Sequence, residues 1–187
     1  MRQVKNAGIA ALIFSLAAIA EAANTAPKGV SDLADRTLTK YGVDPVIVEA
    51  VRSRNQAGKT LGEIKATDER WRAEPKVSDF MRSLMESECG THLQVLQKTH
   101  PYLAEIFVMD NLGANVCMTN RTSDYWQGDE AKFIESYKGG SGAIHIGDVE
   151  FDDSAQASLV QVSVPVRDGD TVIGAMTFGI RIDRMPR

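Results

Sequence analysis

Six consecutive residues concentrate the side chains best suited to holding a small molecule. They supply a guanidinium, a carboxylate, two hydroxyls and two aromatic rings, and are Arg121, Thr122, Ser123, Asp124, Tyr125 and Trp126. Small-ligand sites combine apolar walls with a few oriented polar groups, and this segment offers both. Tyr125 and Trp126 can form a wall, while Arg121 can pair with a carboxylate through two hydrogen bonds. We therefore predict that these six residues bind a ligand.

The charge of that ligand stays open from the sequence. Asp124 can hold an ammonium group against the aromatic faces, as an alternative to carboxylate capture by Arg121. A purely structural role is the other alternative, because Trp126 can fill space over a sheet and Asp124 can cap a helix. The predicted ligand is a small organic metabolite with a carboxylate or an amine.

The two cysteines, Cys89 and Cys117, form a candidate disulfide. Disulfides persist in exported proteins, and this bridge would close a loop of about 27 residues and stabilise the fold by roughly 3 kcal/mol. The alternative is two buried thiols that pack as small hydrophobic groups.

Motifs for catalysis are absent from the sequence. It contains no G-x-S-x-G, P-loop, H-E-x-x-H or C-x-x-C pattern. His92 and His145 are interpreted as structural, and Lys132 as a solvated lysine. We predict a binding protein rather than an enzyme, with no cofactor and no metal site.

Composition indicates an ordinary globular chain. Of 187 residues, 43% are hydrophobic and 25% charged, and the formal net charge is −4. That charge gives no electrostatic reason to expect a nucleic acid as partner.

The first 22 residues have the layout of a secretory signal peptide. Arg2 and Lys5 precede an apolar run that ends at Ala20, and Ala20-Glu21-Ala22 matches a small-residue cleavage site. We expect export to a bacterial periplasm, and an uncleaved N-terminal membrane anchor is the alternative. The predicted division is a signal peptide (1–22), a helical segment (23–77) and a sensor-like domain (78–187).

The elements around the candidate residues change type near Pro101. Apolar residues recur at helical spacing before it, including one long predicted helix from Ser78 to about Thr99. After it, alternating patterns predict a hairpin, a short helix from Asp129, and three more strands. The sequence thus predicts an α+β fold, in which an antiparallel sheet is covered by helices.

Residues 105–119 (EIFVMDNLGANVCMT), their continuation 120–130 (NRTSDYWQGDE) and the stretch 165–180 (PVRDGDTVIGAMTFGI) resemble a single Cache domain. This family comprises PAS-like extracytoplasmic sensors of bacterial signalling proteins. The resemblance covers residues 78–183. It implies a five-stranded antiparallel sheet of order 2-1-5-4-3, long N-terminal helices behind it, and a ligand pocket beside residues 120–128.

The resemblance also implies a signalling role. Membrane-bound Cache receptors continue through a transmembrane helix after the last strand, whereas this sequence stops shortly after it. We therefore expect a free-standing sensor that reports ligand occupancy to a membrane partner, such as a histidine kinase or a chemoreceptor. The alternative is a ligand-free periplasmic module that binds a partner protein or forms a homodimer.

Overall fold

The computed structural model describes residues 26–152 and 156–185, and the predicted signal peptide lies outside them. The helices in these ranges are α1 Lys28–Arg36, α2 Pro45–Gln56, α3 Leu61–Ala73, α4 Asp79–Glu86, α5 Glu88–Thr99 and α6 Ala131–Tyr137. The strands are β1 Leu103–Met109, β2 Asn115–Met118, β3 His145–Asp152, β4 Ala157–Asp168 and β5 Thr171–Arg181. None of the helices described is long and apolar enough to cross a membrane.

Local capping explains where the helices begin. Asp44 accepts a hydrogen bond from the Val46 amide at 2.9 Å, and Pro45 occupies the first position of α2. Thr60 and Glu63 cap α3 reciprocally, because each side chain accepts a hydrogen bond from the other residue's amide.

The prediction of one continuous helix from Ser78 to Thr99 is wrong. The chain breaks at Ser87, whose hydroxyl accepts a hydrogen bond from the Gly90 amide and so begins α5 anew. Gly90 lies so close to the end of α4 that an added Cβ would be 2.3 Å from the Met85 carbonyl oxygen. Apolar residues keep helical spacing across Ser87, so the hydrophobic pattern gives no sign of the break.

The five strands form one antiparallel sheet of order β2-β1-β5-β4-β3. The predicted α+β class and strand order are therefore confirmed. A tight turn at Gly169, with φ 58°, joins β4 to β5 as predicted from Asp168-Gly169. The joint between α6 and β3 also has left-handed backbone, at Lys138, Gly139, Gly140 and Gly142.

One side of the sheet, here called the helical face, is covered by α1, α2 and α5. Alternate residues of β4 and β5, such as Val162 and Phe178, pack there against Val30, Ile47 and Leu93 in one apolar cluster. The N-terminal helices thus share a core with the strands.

The opposite side, here called the cavity face, carries α3, α4 and α6. Over β1 and β2 it holds a second apolar cluster, which includes Trp71, Met81, Phe107, Met118 and Tyr125. Over β3 and β4 the helix that packs on this face is α6, and the strand residues there include the polar Gln161 and Ser163.

Candidate functional site

The predicted ligand-binding residues belong to the connector, residues 120–128, which follows β2. Tyr125 is fully buried, with its ring centroid 5.6 Å from that of Trp71 and 5.4 Å from that of Phe80. Burial raises the pKa of the Tyr125 hydroxyl, which has no hydrogen-bond partner among the described residues. Tyr125 is therefore part of the core in this structure.

A carboxylate that the sequence analysis missed holds the connector on α3. Asp68 Oδ1 accepts hydrogen bonds from the amides of Tyr125 at 2.8 Å and Trp126 at 3.1 Å. Its Oδ2 lies 3.1 Å from Nε of Arg72. Asp68 is only 5% exposed and follows the buried Ile64 by four residues. An acidic residue on the apolar side of a helix was the available signal.

Arg121 and Thr122 also make hydrogen bonds within the protein. Arg121 Nη2 donates to the carbonyls of Trp71 at 3.0 Å and Glu74 at 2.7 Å, where α3 ends. Thr122 Oγ1 donates to the Asp124 carbonyl and accepts from Asn115 Nδ2. Both side chains thus hold the connector in place.

Ser123, Asp124 and Trp126, the other three predicted residues, border solvent. The Ser123 hydroxyl donates to the Asp124 carboxylate, and Trp126 Nε1 donates to the Leu112 carbonyl at 2.8 Å. Lys65 Nζ lies 4.4 Å from the Trp126 ring centroid. Asp124 and Trp126 line a shallow groove of about 410 Å³ against α3. Ligand contact through the six predicted residues stays a prediction, and the structure brings only these two of them to the groove.

On the helical face, the structure joins Cys89 of α5 to Cys117 of β2 in a disulfide, with their Cα atoms 5.9 Å apart. His92 Nε2 lies 3.0 Å from Asp44 Oδ2 and so connects α5 to the start of α2. These contacts fasten helices to each other and to the sheet.

A larger cavity of about 500 Å³, here called the α6 cavity, lies between α6 and the cavity face. Its lining comes from α6 and the segment before it, from β1, and from β3 and β4. The residues are Glu105, Glu130, Ala131, Lys132, His145, Ile146, Gly147, Asp148, Glu150, Phe151, Leu159 and Gln161.

Strand register explains how polar groups reach this cavity. His145 pairs with Ser163, Ser163 with Thr177, and Thr177 with Phe107, so that their side chains form a row on the cavity face. The Ser163 and Thr177 hydroxyls are fully buried and 2.8 Å apart. The row is therefore polar over β3, β4 and β5 and becomes apolar at β1.

A glycine lets the next row form a hydrogen bond across a strand. Gly179 of β5 pairs with Gln161 on one side and Glu105 on the other. A Cβ at Gly179 would lie 2.6 Å from Cγ of Glu105, so the glutamate side chain lies over the glycine. Gln161 Nε2 donates to Glu105 Oε1 at 3.0 Å across that gap.

Lys132 of α6 lies inside the cavity rather than in solvent. Its side chain is 16% exposed, and Nζ is 2.9 Å from Glu130 Oε2 and 5.6 Å from the Phe107 ring centroid. His145, interpreted from the sequence as structural, also lines the cavity. Within residues 26–152 and 156–185, no three His, Cys, Asp or Glu side chains are grouped to hold a metal ion.

The fold and site together define an α+β domain with a polar-lined cavity under a short helix. Comparison with protein-family models gave no match, and neither did comparison with curated proteins.

Solved structures with some likeness to this chain are sensor domains. The sensor domain of the V. cholerae histidine kinase DctB is 12% identical over 83% of this chain and 51% of that one, with a TM-score of 0.45. The sensory domain of the Campylobacter jejuni chemoreceptor Tlp3 (CcmL) is 15% identical over 81% of this chain and 61% of that one, with a TM-score of 0.41.

A third is the ligand-binding domain of the Pseudomonas aeruginosa PAO1 amino acid chemoreceptor PctC in complex with GABA. It is 10% identical over 82% of this chain and 61% of that one, with a TM-score of 0.37. This chain thus spans between 51% and 61% of the length of these three chains.

Proposed function

We propose that the protein is a small-molecule-binding sensor module of the bacterial periplasm and that its ligand occupies the α6 cavity. The observation that carries the proposal is the set of polar strand residues on the cavity face near α6. Glu105, Gln161 and Ser163 lie on strands that are paired on both sides, and the hydrophobic effect alone gives no reason for polar residues there. Together with Lys132 and His145, Glu105 and Gln161 line a cavity of about 500 Å³, within the usual size range of ligand sites.

Apolar surface completes the site. Leu159 lines the cavity, and Phe151 leaves 63% of its surface exposed at the rim, on the edge strand β3. A ligand that covers such a ring gains hydrophobic contact in addition to polar recognition.

A filled-cavity variant tests the location. Gln161→Trp places an indole in the α6 cavity, and Val95→Trp places the same side chain on the exposed side of α5, on the opposite layer. The wild type and Val95→Trp are expected to show a saturable rise in melting temperature with a member of a library of small carboxylates and amines. Gln161→Trp is expected to lose that rise.

Ala131→Trp provides a second plug from the helix side, since Ala131 is exposed and lines the cavity. A flat response of the wild type across the library contradicts the proposal and favours the interaction or homodimer module. If both tryptophan variants keep the ligand-induced rise in melting temperature, the ligand binds outside the α6 cavity. The groove lined by Asp124 and Trp126 is then the next candidate.

Export and signalling are further parts of the proposal. The mature protein recovered from a periplasmic extract is expected to begin at Ala23, which mass spectrometry can measure. Occupancy is expected to change crosslinking to an inner-membrane histidine kinase or chemoreceptor, and Gln161→Trp should abolish the ligand's effect. Crosslinking that ignores the ligand contradicts a sensor role.

A further inference from the structure

We infer that the ligand of the α6 cavity carries a primary ammonium group and that Lys132 occupies the place of this group in the unliganded protein, as a resident positive charge that the ligand displaces. The inference rests on the proposed function, because it assumes that the cavity binds a small molecule. It assigns the preference for a cation to the acidic lining of the cavity and gives Lys132 the role of a competitor for the ammonium site.

The charges around the cavity favour a cation. The carboxyl side chains that line it are Glu105, Glu130, Asp148 and Glu150, whereas Lys132 and His145 are the basic side chains of that lining. In a cleft with low-dielectric walls, an excess of one sign raises the local concentration of the opposite charge. An ammonium group is therefore attracted, and a second carboxylate is repelled.

The contacts of Lys132 show that the cavity already accommodates an ammonium group. Its Nζ lies 2.9 Å from Glu130 Oε2 and faces the Phe107 ring at 5.6 Å from the centroid, while the side chain is 16% exposed. A carboxylate together with an aromatic face is the chemistry that recognises alkylammonium ions. The groups that hold Lys132 can hold a ligand ammonium in the same way.

Carboxylate capture by Lys132 fits these contacts less well. A ligand carboxylate would have to separate Lys132 from Glu130 and leave that carboxyl group without its cation, with Glu105 on the strand nearby. Separation of this pair is costly because the Lys132 side chain is only 16% exposed, although Glu130 is more open to solvent. An ammonium ligand instead exchanges one cation for another, and Lys132 can extend to solvent on its flexible stem.

The two roles of Lys132 predict opposite effects of the same substitution. Where Lys132 is a competitor, Lys132→Gln removes it and tightens the binding of an ammonium. Where Lys132 binds a ligand carboxylate, the same change weakens binding. Lys98→Gln is the matched control, because Lys98 is an exposed lysine near the end of α5, on the opposite layer.

The experiment uses three probes with the same four-carbon chain and different end groups: 1,4-diaminobutane, 4-aminobutanoate and butanedioate. Calorimetric titration of the full mature protein is expected to show binding of the diamine and no binding of butanedioate. Lys132→Gln is expected to tighten the diamine Kd about tenfold, and Lys98→Gln to leave it unchanged. Glu105→Gln keeps an oxygen that can accept from Gln161 but removes a carboxylate from the cavity lining. It is expected to weaken diamine binding.

Three results overturn the inference. They are tighter binding of butanedioate than of the diamine, weaker diamine binding in Lys132→Gln, and failure of both amine probes to bind either protein. Circular dichroism of Lys132→Gln is measured alongside, and Lys132→Met serves as a second neutral variant. The proposed function is tested separately. It still holds if a library compound raises the melting temperature of the wild type and Gln161→Trp abolishes that rise.

Discussion

The two faces of the sheet differ in composition, and β4 shows the difference within one strand. Its four alternate valines from Val160 to Val166 are fully buried on the helical face. Gln161 and Ser163 lie between them on the cavity face, in hydrogen bonds with Glu105 and Thr177. The helical face contains what stability requires, whereas the part of the cavity face under α6 contains groups that stability alone does not call for. Substitutions on the two faces should therefore change different measurements.

The largest effect is expected on the helical face. Phe178 is fully buried and its ring centroid lies 5.9 Å from that of Tyr41, so Phe178→Ala should lower the free energy of unfolding by about 3–5 kcal/mol. Urea denaturation measures this. Gln161→Ala, on the cavity face, should cost less than about 1 kcal/mol. Equal losses of unfolding free energy in the two variants would contradict the view that the helical face contributes more to stability than this part of the cavity face.

The disulfide is expected to matter next, because it joins a helix of the helical face to the edge strand β2. Cys89 and Cys117 are separated by 28 positions, and replacement of both by serine should lower the free energy of unfolding by about 3 kcal/mol. The denatured, unreduced wild type should contain no titratable thiol. Two thiols per chain in that assay would contradict the bridge.

Asp68 tests the half of the cavity face that lies under the connector. Asp68→Ala leaves the buried amide of Tyr125 and the amide of Trp126 without their acceptor and should cost about 1–3 kcal/mol. Glu69→Ala, on the exposed side of the same helix, is the control and should be nearly neutral. Thermal unfolding followed by tryptophan fluorescence measures both. A neutral Asp68→Ala would mean that the connector does not depend on α3.

The smallest effect concerns Asp110, at the turn between β1 and β2. The pKa of its carboxyl group is raised, because the effect of burial is larger than that of the hydrogen bonds. The Ala114 and Leu112 amides donate to the carboxyl group and by themselves lower its pKa. The ionised form is therefore less favourable in the folded state. That cost is present above the folded-state pKa and disappears as the pH falls below the unfolded-state value.

Asp110→Asn keeps an oxygen acceptor for both amides and removes the charge. Its free energy of unfolding at pH 7 should equal or exceed that of the wild type by less than about 1 kcal/mol. The difference should shrink as the pH is lowered through the range in which carboxyl groups titrate. The prediction is contradicted if Asp110→Asn has a lower free energy of unfolding than the wild type at pH 7 and this deficit shrinks at acid pH.

Much of the fold was predictable because its signals are local. The valine alternation in β4, the Asp168-Gly169 turn and the Asp44-Pro45 helix start each depend on neighbouring residues, and the structure has all three. The break at Ser87 was missed because apolar spacing continues through it, although serine is one of the residues that most often begin a helix.

The site was less predictable because it depends on partners that are distant in sequence. Arg121 has the chemistry to bind a carboxylate, but the carbonyl groups it contacts belong to Trp71 and Glu74, about 50 positions earlier. Conversely, Glu105 and Gln161 come together only through the register of β1, β5 and β4. Polar residues on alternate positions of a valine-rich strand were the one sequence signal for the α6 cavity.

The left-handed turn between α6 and β3 offers an entry point for engineering. A side-chain atom built on Gly139 would meet nothing within 4 Å, and the two elements that it separates both line the α6 cavity. Exposed turns of this kind tolerate inserted domains. A circularly permuted fluorescent protein spliced at Gly139 would have its two ends fixed to opposite walls of the cavity. Its brightness would then follow the spacing of those walls and convert the domain into an optical biosensor.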